Sequence, residues 1–186
     1  MEDTDLIACL YSHKDDLNLV SNAFKESSRY VSPRVQVFKN NRPGERGSPQ
    51  PREDLDASDH DYLPRLEIRF SDIPRTERGV VFGSNLNCDV ALPYDGVSDY
   101  HLSLTFDDMN RPLVEDLGSS TGTEVTYDDK KHSWIVSGHW VPQQMKCIVI
   151  NVTDTISFQI VFARYNIGSQ AYIDKVNRFR QGIATA

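Results

Sequence analysis

The sequence predicts an all-β fold, a β-sandwich of antiparallel sheets.

 Two observations carry this prediction. Between residues 79 and 123, short apolar runs alternate with turns rich in Gly, Asn, Asp, Ser and Pro, at a spacing of about 8–12 residues that is typical of sandwiches. The runs are Val80–Gly83, Asp89–Leu92, His101–Phe106 and Leu113–Leu117. Nearer the C-terminus, Cys147–Val152 and Thr155–Ala163 are rich in β-branched residues and flank a short turn, which predicts a hairpin.

We place the sandwich at residues 65–163. It begins with Leu66–Phe70, where apolar and charged residues alternate as in a strand with one buried face. Further strands are predicted at Glu124–Tyr127 and Ser133–Val136, and Gly138 is expected in the next turn. The core is expected to contain the large aromatic residues of the C-terminal half. These are Trp134, Trp140, Phe158 and Phe162.

Residues 1–39 are predicted to form an N-terminal extension that packs on the sandwich. Leu6–Tyr11 is a short apolar run bounded by polar residues, which predicts a strand. Ser12 could cap a helix over His13–Lys25, in which the apolar residues form a partial stripe. A second strand of this extension is predicted at Val35–Phe38.

Residues 40–64 are predicted to form a flexible loop, because they combine prolines with mixed charges and contain few apolar side chains. Such a segment cannot bury enough surface to offset its ordering entropy. Its acidic residues could bind a metal ion, but a solvated loop is the better explanation of this composition.

The C-terminal residues 164–186 change to a helical period and are predicted to form a helix and a linker. Ser169 is a suitable N-cap, and Gly182 is a suitable stop. The apolar face consists of Tyr172, Ile173, Val176 and Phe179. Either this face packs on the sandwich of the same chain, which we favour, or the helix leads into a following domain.

Composition narrows the class of protein. The formal net charge of −7 argues against nonspecific binding to nucleic acid or to an anionic membrane. No apolar run approaches the roughly 20 residues that span a bilayer, and the N-terminus lacks a signal-peptide pattern. Cys9, Cys88 and Cys147 are far apart and fit neither a disulfide framework nor a metal site. We therefore expect an intracellular protein of the cytoplasm or nucleus with reduced thiols.

Polar residues cluster in three of the predicted turns, which form the candidate binding surface. The turns are Gly83–Asn85, Ser98–His101 and Ser119–Thr123. Loops that gather at one end of a sandwich can be positioned by the rigid strands between them, as binding loops commonly are.

The residues of these turns resemble a known family. Gly83, Asp89-Val90, Ser98-x-x-His101 and Asp116-Leu-Gly-Ser-x-x-Gly-Thr123 follow each other in the order and at the distances found in the forkhead-associated (FHA) domain. Each fragment alone is weak, but the four in register are specific, and the resemblance extends over residues 65–163. It implies an 11-stranded β-sandwich whose apical loops bind phosphothreonine peptides.

The resemblance also implies a role for each loop residue. Ser98 would hydrogen-bond the phosphate, and His101 would brace the loops. The implied phosphopeptide-binding residues are Ser84, Asn85, Ser98, Asp99, Ser120, Thr121 and Gly122. The implied structural residues are Gly83, His101 and Thr123.

Three positions depart from the family pattern and predict weak binding. Ser84 stands where the family usually has Arg, Asp99 where it has a polar or basic residue, and Thr121 where it has Asn. The missing Arg removes a charge-assisted contact, and Asp99 adds a charge of the same sign as the phosphate. Lys130 and Lys131 could supply positive charge, although a solvated hairpin tip is the simpler explanation of this pair.

The alternatives are an enzyme and a scaffold without phosphate binding. The sequence has no nucleophile-elbow, phosphate-loop or kinase signature, and its histidines lack metal-ligand spacing. We therefore predict no catalysis within this chain, no cofactor and no metal. A degenerate FHA scaffold that contacts another protein surface without phosphate stays open.

A looser resemblance concerns the chain as a whole. Its arrangement is similar to the N-terminal regions of fungal serine/threonine protein kinases that carry an FHA domain. That similarity implies a targeting or autoinhibitory role for this region, not kinase activity within it.

Overall fold

The computed structural model describes residues 4–15, 17–33, 63–127, 139–140 and 148–182. Several predicted features lie outside these residues. They are the strands at Val35–Phe38 and Ser133–Val136, nearly all of the loop at 40–64, Lys130, Lys131, Trp134 and Cys147.

The described residues form eleven strands in two sheets and two helices. The strands are β1 (Leu6–Ser12), β2 (Tyr30–Val31), β3 (Arg65–Arg69), β4 (Val80–Gly83), β5 (Val90–Ala91), β6 (Leu102–Phe106), β7 (Pro112–Asp116), β8 (Glu124–Tyr127), β9 (His139–Trp140), β10 (Ile148–Asn151) and β11 (Ser157–Phe162). The helices are α1 (Leu19–Lys25) and α2 (Gln170–Gln181). One sheet has the order β2-β3-β1-β11-β10-β8, and the other has the order β5-β4-β6-β7-β9. All pairs are antiparallel except β4 with β5.

The core lies between the two sheets, and the predicted all-β sandwich is confirmed. The alternation in β11 buries Phe158, Ile160 and Phe162, while the residues between them are partly exposed. The predicted hairpin of β10 and β11 forms with Ile150 opposite Phe158. Phe158 stacks on Phe82 of the other sheet at a centroid distance of 5.3 Å. Each such buried side chain contributes about 1.5–3 kcal/mol by leaving water.

The N-terminal strand has a different place from the one predicted. β1 lies inside the six-stranded sheet, between β3 and β11, with Ala8 opposite Phe162 and Leu10 opposite Ile160. It is therefore a strand of the sandwich itself and not part of an extension packed upon it. The apolar run alone predicts a strand, but its neighbours in the sheet are far away in the sequence.

The first helix is shorter than predicted, and Ser12 is not its cap. Ser12 still pairs with β11, and the His13 N–H donates to the Ser157 carbonyl at 3.2 Å, so the chain remains extended there. The left-handed backbone of Asn18, with φ 54°, precedes the helix. The Asp15 carboxylate accepts from the N–H groups of Val20 and Ser21 and so takes the capping role.

The C-terminal helix is confirmed from its predicted cap to its predicted stop. Ser169 Oγ accepts from the Tyr172 N–H at 3.3 Å, and Gly182 ends the helix with φ 64°. Phe179 is buried against Phe70 and Phe106, with centroid distances of 6.1 and 5.7 Å. The helix therefore packs on its own sandwich, at the Phe106 end of β6.

Among the described residues, neither helix has the length and apolarity that crossing a membrane requires.

Candidate functional site

The loops that follow β4, precede β6 and follow β7 meet at one end of the sandwich. Because β4 and β7 both run antiparallel to β6, the end of β4, the start of β6 and the end of β7 lie at the same end of the sheet. We call residues 83–89, 92–101 and 117–123 the apical loops. The Ser84 N–H donates to the Ser98 carbonyl at 3.0 Å, and the Ser120 N–H donates to Ser98 Oγ at 3.0 Å. The predicted gathering of the three turns is confirmed.

Gly83 lets two of these loops approach closely. A Cβ atom at this position would lie 2.1 Å from the carbonyl oxygen of Asp99, far inside contact distance. The same carbonyl accepts from the Asn85 N–H at 3.2 Å and from Cys88 Sγ at 3.2 Å. The absence of a side chain at Gly83 thus allows Asp99 to lie this close to the end of β4.

His101 joins the second and third apical loops from below. Its side chain is fully buried. Nδ1 accepts from the Ser98 N–H at 3.2 Å, so this nitrogen carries no proton, and the proton on Nε2 faces the Gly122 carbonyl at 3.1 Å. His101 is therefore hydrogen-bonded to both loops, as the predicted bracing role requires.

Asp116 organises the third loop, a role that was not predicted from the sequence. Its carboxylate accepts from the N–H groups of Gly118 and Ser119 and from the hydroxyls of Ser119 and Thr123, over 2.6–2.9 Å. Burial raises the pKa of Asp116, but the hydrogen bonds from Ser119, Thr123 and Gly118 together bring that pKa below its ordinary value. The signal in the sequence is an Asp two residues before a Gly, a common start for an Asx-type turn.

The remaining predicted binding residues lie in the same apical loops. Most of their polar atoms have hydrogen-bond partners within the protein. Ser84 Oγ donates to Asp99 Oδ1 at 3.3 Å, and the hydroxyls of Ser98 and Ser120 lie 3.3 Å apart. Asn85 Oδ1 accepts from the Asn87 N–H at 2.9 Å. Thr121 Oγ1 donates to the Val152 carbonyl at 3.2 Å, so this hydroxyl ties the third loop to the turn between β10 and β11.

The charge of the apical loops is negative. They contain no Lys or Arg, while Asp95 and Asp99 are exposed. Cys88 is a buried residue of the first apical loop, and burial and the nearby Asp89 carboxylate raise the pKa of its thiol to about 11. The thiol therefore stays protonated at neutral pH. Among the described residues, no group of three or more acidic, His or Cys side chains could hold a metal ion.

Comparison with known families supports an FHA domain in this part of the chain. The family model of the FHA domain matches residues 80–158, from the start of β4 to the second residue of β11. The match includes all three apical loops. With the strand topology described above, it makes the fold an FHA-like β-sandwich. No curated protein sequence matches the chain.

Three solved structures illustrate the likeness. EmbR of Mycobacterium tuberculosis, in complex with a low affinity phosphopeptide, is 21% identical over 48% of this chain, with a TM-score of 0.38. The match spans only 21% of the EmbR chain. The FHA domain of CT664 from Chlamydia trachomatis is 20% identical over 54% of this chain and 86% of its own, with a TM-score of 0.37. An engineered FHA with a Myc-pTBD peptide is 15% identical over 86% of this chain and 93% of its own, with a TM-score of 0.44.

Proposed function

We propose that this chain is a protein-interaction module of the FHA type whose apical loops bind phosphothreonine peptides weakly. The observation that carries the proposal is the joining of the apical loops around Ser98. Its carbonyl holds the first loop through the Ser84 N–H, and its hydroxyl holds the third loop through the Ser120 N–H. A cluster of hydroxyl and backbone donors held in place by strands suits a phosphate, which offers several strong acceptor oxygens.

The expected weakness follows from charge. A hydrogen bond between charged groups contributes about 1.5–3 kcal/mol, and the apical loops contain no Lys or Arg to donate one to the phosphate. Asp99 repels a phosphate by about 1 kcal/mol or more at contact distance, and less as salt increases. Since 1.4 kcal/mol corresponds to about a tenfold change in affinity, these effects move binding from micromolar toward millimolar.

The test is a calorimetric titration with a degenerate phosphothreonine peptide pool and with the same pool unphosphorylated. We expect weak binding that requires the phosphate and that Ser98→Ala abolishes. Ser157→Ala serves as the control, since that hydroxyl donates to the His13 carbonyl and not to an apical loop. Equal binding of both pools would contradict phosphothreonine recognition.

A second candidate is a degenerate FHA scaffold that binds another protein surface, or another part of its own protein, without phosphate. It is favoured by the internal use of the loop hydroxyls. Ser84 donates to Asp99 and Thr121 donates to Val152, so both hydroxyls would have to leave a partner to reach a ligand. Tight binding of a protein partner that survives phosphatase treatment would favour this candidate.

The protein context of the module is also a proposal. The looser resemblance to fungal serine/threonine kinases suggests a regulatory region of a protein kinase, in which the module would direct the kinase to a partner or inhibit it in cis. Joining the chain to the catalytic domain of its own protein and comparing kinase rates with and without the phosphothreonine pool would test this context.

A further inference from the structure

Asp99 is an exposed carboxylate held at a fixed place within the apical loops. Its backbone carbonyl accepts from the Asn85 N–H and from Cys88 Sγ, and the close approach of Gly83 leaves little room for movement. Its Oδ1 accepts from Ser84 Oγ at 3.3 Å, whereas its Oδ2 accepts no hydrogen bond from a described residue. Asp99 therefore presents a free carboxylate oxygen beside the hydroxyls of the proposed phosphate site.

No described cation neutralises the charge of the Asp99 carboxylate. Asp99 forms no ion pair with a described residue, and neither do the exposed carboxylates of Asp95 and Asp154. The loops that bear Asp95 and Asp154 are neighbours, because a Cβ atom at Gly96 would lie 3.5 Å from Cγ2 of Thr153. A phosphate beside Asp99 therefore meets a carboxylate that no described cation pairs with.

We propose that Asp99 selects phosphothreonine peptides in which Arg or Lys flanks the phosphothreonine, an inference that rests on the proposed function. A cation of the ligand would pair with Asp99, and it would offset the repulsion between that carboxylate and the phosphate. The ligand then supplies the positive charge that the loops lack. The reaction that generates such ligands is threonine phosphorylation by kinases that act on basic sequences.

The surroundings of Asp99 favour Arg over Lys. A guanidinium can donate to a carboxylate oxygen and stack on an aromatic face at the same time, which an ammonium does less well. Tyr100, the next residue in the loop, is 50% exposed. An Arg beside the phosphothreonine can therefore use both neighbouring side chains.

The experiment compares peptides that differ only in the residues next to the phosphothreonine. One series places Arg in turn at each of the two positions before and after it, a second places Glu there, and the reference peptide has Ala throughout. Each peptide is also made unphosphorylated. Fluorescence anisotropy is measured at low and high salt for the unchanged chain, for Asp99→Asn and for Asp174→Asn, a control that removes an exposed carboxylate from α2.

For the unchanged chain we expect the best Arg peptide to bind about fivefold more tightly than the Ala peptide, which is the range of an exposed ion pair. The Glu peptides should bind more weakly than the Ala peptide, and high salt should reduce both differences. Asp99→Asn should abolish the Arg preference and strengthen binding of the Ala peptide. Asp174→Asn should leave both unchanged.

Two results would overturn the inference, and they differ in what they leave standing. Phosphate-dependent binding without an Arg preference, or with a preference that Asp99→Asn retains, removes the role of Asp99 and leaves the proposed function intact. Equal binding of each phosphorylated peptide and its unphosphorylated form, or no binding of any peptide, contradicts the proposed function and the inference with it.

Discussion

His101 connects two loops through two buried hydrogen bonds, so its removal should lower the stability of the protein. His101→Ala would leave the Ser98 N–H and the Gly122 carbonyl without their partner. We expect the free energy of unfolding to fall by about 1–3 kcal/mol, the cost of an unpaired buried polar group. Urea denaturation measures this change. Leu86→Ala is the control, because that side chain is 77% exposed and should leave stability unchanged; an unaltered midpoint in His101→Ala would refute the bracing role.

Asp116 should make stability depend on pH at the acidic end. Its pKa in the folded protein is below the ordinary value of 3.8, so the carboxylate contributes stability that is fully present above that value. The contribution is lost as pH falls through the lowered folded-state pKa. Asp116→Asn lacks this titration and should be less stable at pH 7 by about 1–3 kcal/mol.

The check is a series of urea denaturation curves from pH 7 downward for both proteins. The difference in unfolding free energy should shrink toward the acidic end, since protonation of Asp116 has the same effect as the substitution. Asp107→Asn is a useful comparison, because the Asp107 pKa is also lowered, by hydrogen bonds from Arg111 and Met109 that outweigh burial, at the other end of the sandwich. A difference that stays constant over the series would disprove the role of the Asp116 charge.

Individual residues of the site were predictable where a local motif carried them. The Ser98-x-x-His101 spacing identified two residues that the structure joins directly. The contact of Ser84 with Asp99 and that of Thr121 with Val152 were not predictable, because each joins residues on separate loops. Such pairs depend on the side-chain directions and on the register of the strands that carry them, which one sequence does not contain.

At the scale of elements, the end of β4 depends on close backbone contact. Gly83→Ala would place a Cβ atom 2.1 Å from the Asp99 carbonyl, and a backbone group cannot move aside as a flexible side chain does. We expect a loss of about 1–3 kcal/mol of stability, typical of overpacking, together with separation of the first two apical loops. Amide exchange of Ser84 and Asn85 would report the separation, because both N–H groups donate to the second loop.

Gly168→Ala is the matched control for this change. Its added Cβ atom would meet only the Asn166 side chain, at an ordinary distance of 3.6 Å. The control should therefore retain the stability and the amide exchange of the unchanged chain. If Gly83→Ala behaves like Gly168→Ala, the two loops do not depend on the missing side chain.

Elements were predicted well where burial alternates along the strand. The alternating pattern of β11 identified that strand, and the cap and stop of α2 were read from Ser169 and Gly182. The place of β1 in the sheet was missed, because its partners β3 and β11 are distant in the sequence. The start of α1 was missed, because β1 continues its pairing with β11 through Ser12. Tertiary pairing there overrides the local preference for a helix cap.

The whole molecule has two differently built ends. At one end, α2 covers the Phe106 end of β6 with a cluster of aromatic rings that includes Phe70 and Phe179. At the other end, the apical loops present hydroxyls and unpaired carboxylates. The aromatic end lies away from the apical loops, so a change in the exposed charge of Asp95 or Asp99 should have little effect on the core. Binding at the apical end should therefore be adjustable by substitutions that leave stability unchanged.

The charge balance of the molecule leads to the last prediction. Ser84→Arg with Asp99→Asn raises the formal net charge from −7 by two units. The two side chains that are replaced are joined by a hydrogen bond. Against a phosphothreonine peptide with Ala on both sides, we expect the double variant to bind about tenfold to a hundredfold more tightly, since a hydrogen bond to a charged group contributes about 1.5–3 kcal/mol. Calorimetry against the same peptide measures each variant.

The two single variants complete the test, because the substitutions should not be additive. Ser84 Oγ already lies 3.3 Å from Asp99 Oδ1, so an introduced guanidinium would pair with that carboxylate and lose much of its attraction for the phosphate. Ser84→Arg alone should therefore gain less than it gains in the presence of Asp99→Asn. Gains that simply add would show that position 84 does not share its surroundings with Asp99 in the complex. A double variant that stays silent would mean that the site lacks more than charge, and the phosphate-independent scaffold would become the better explanation of the fold.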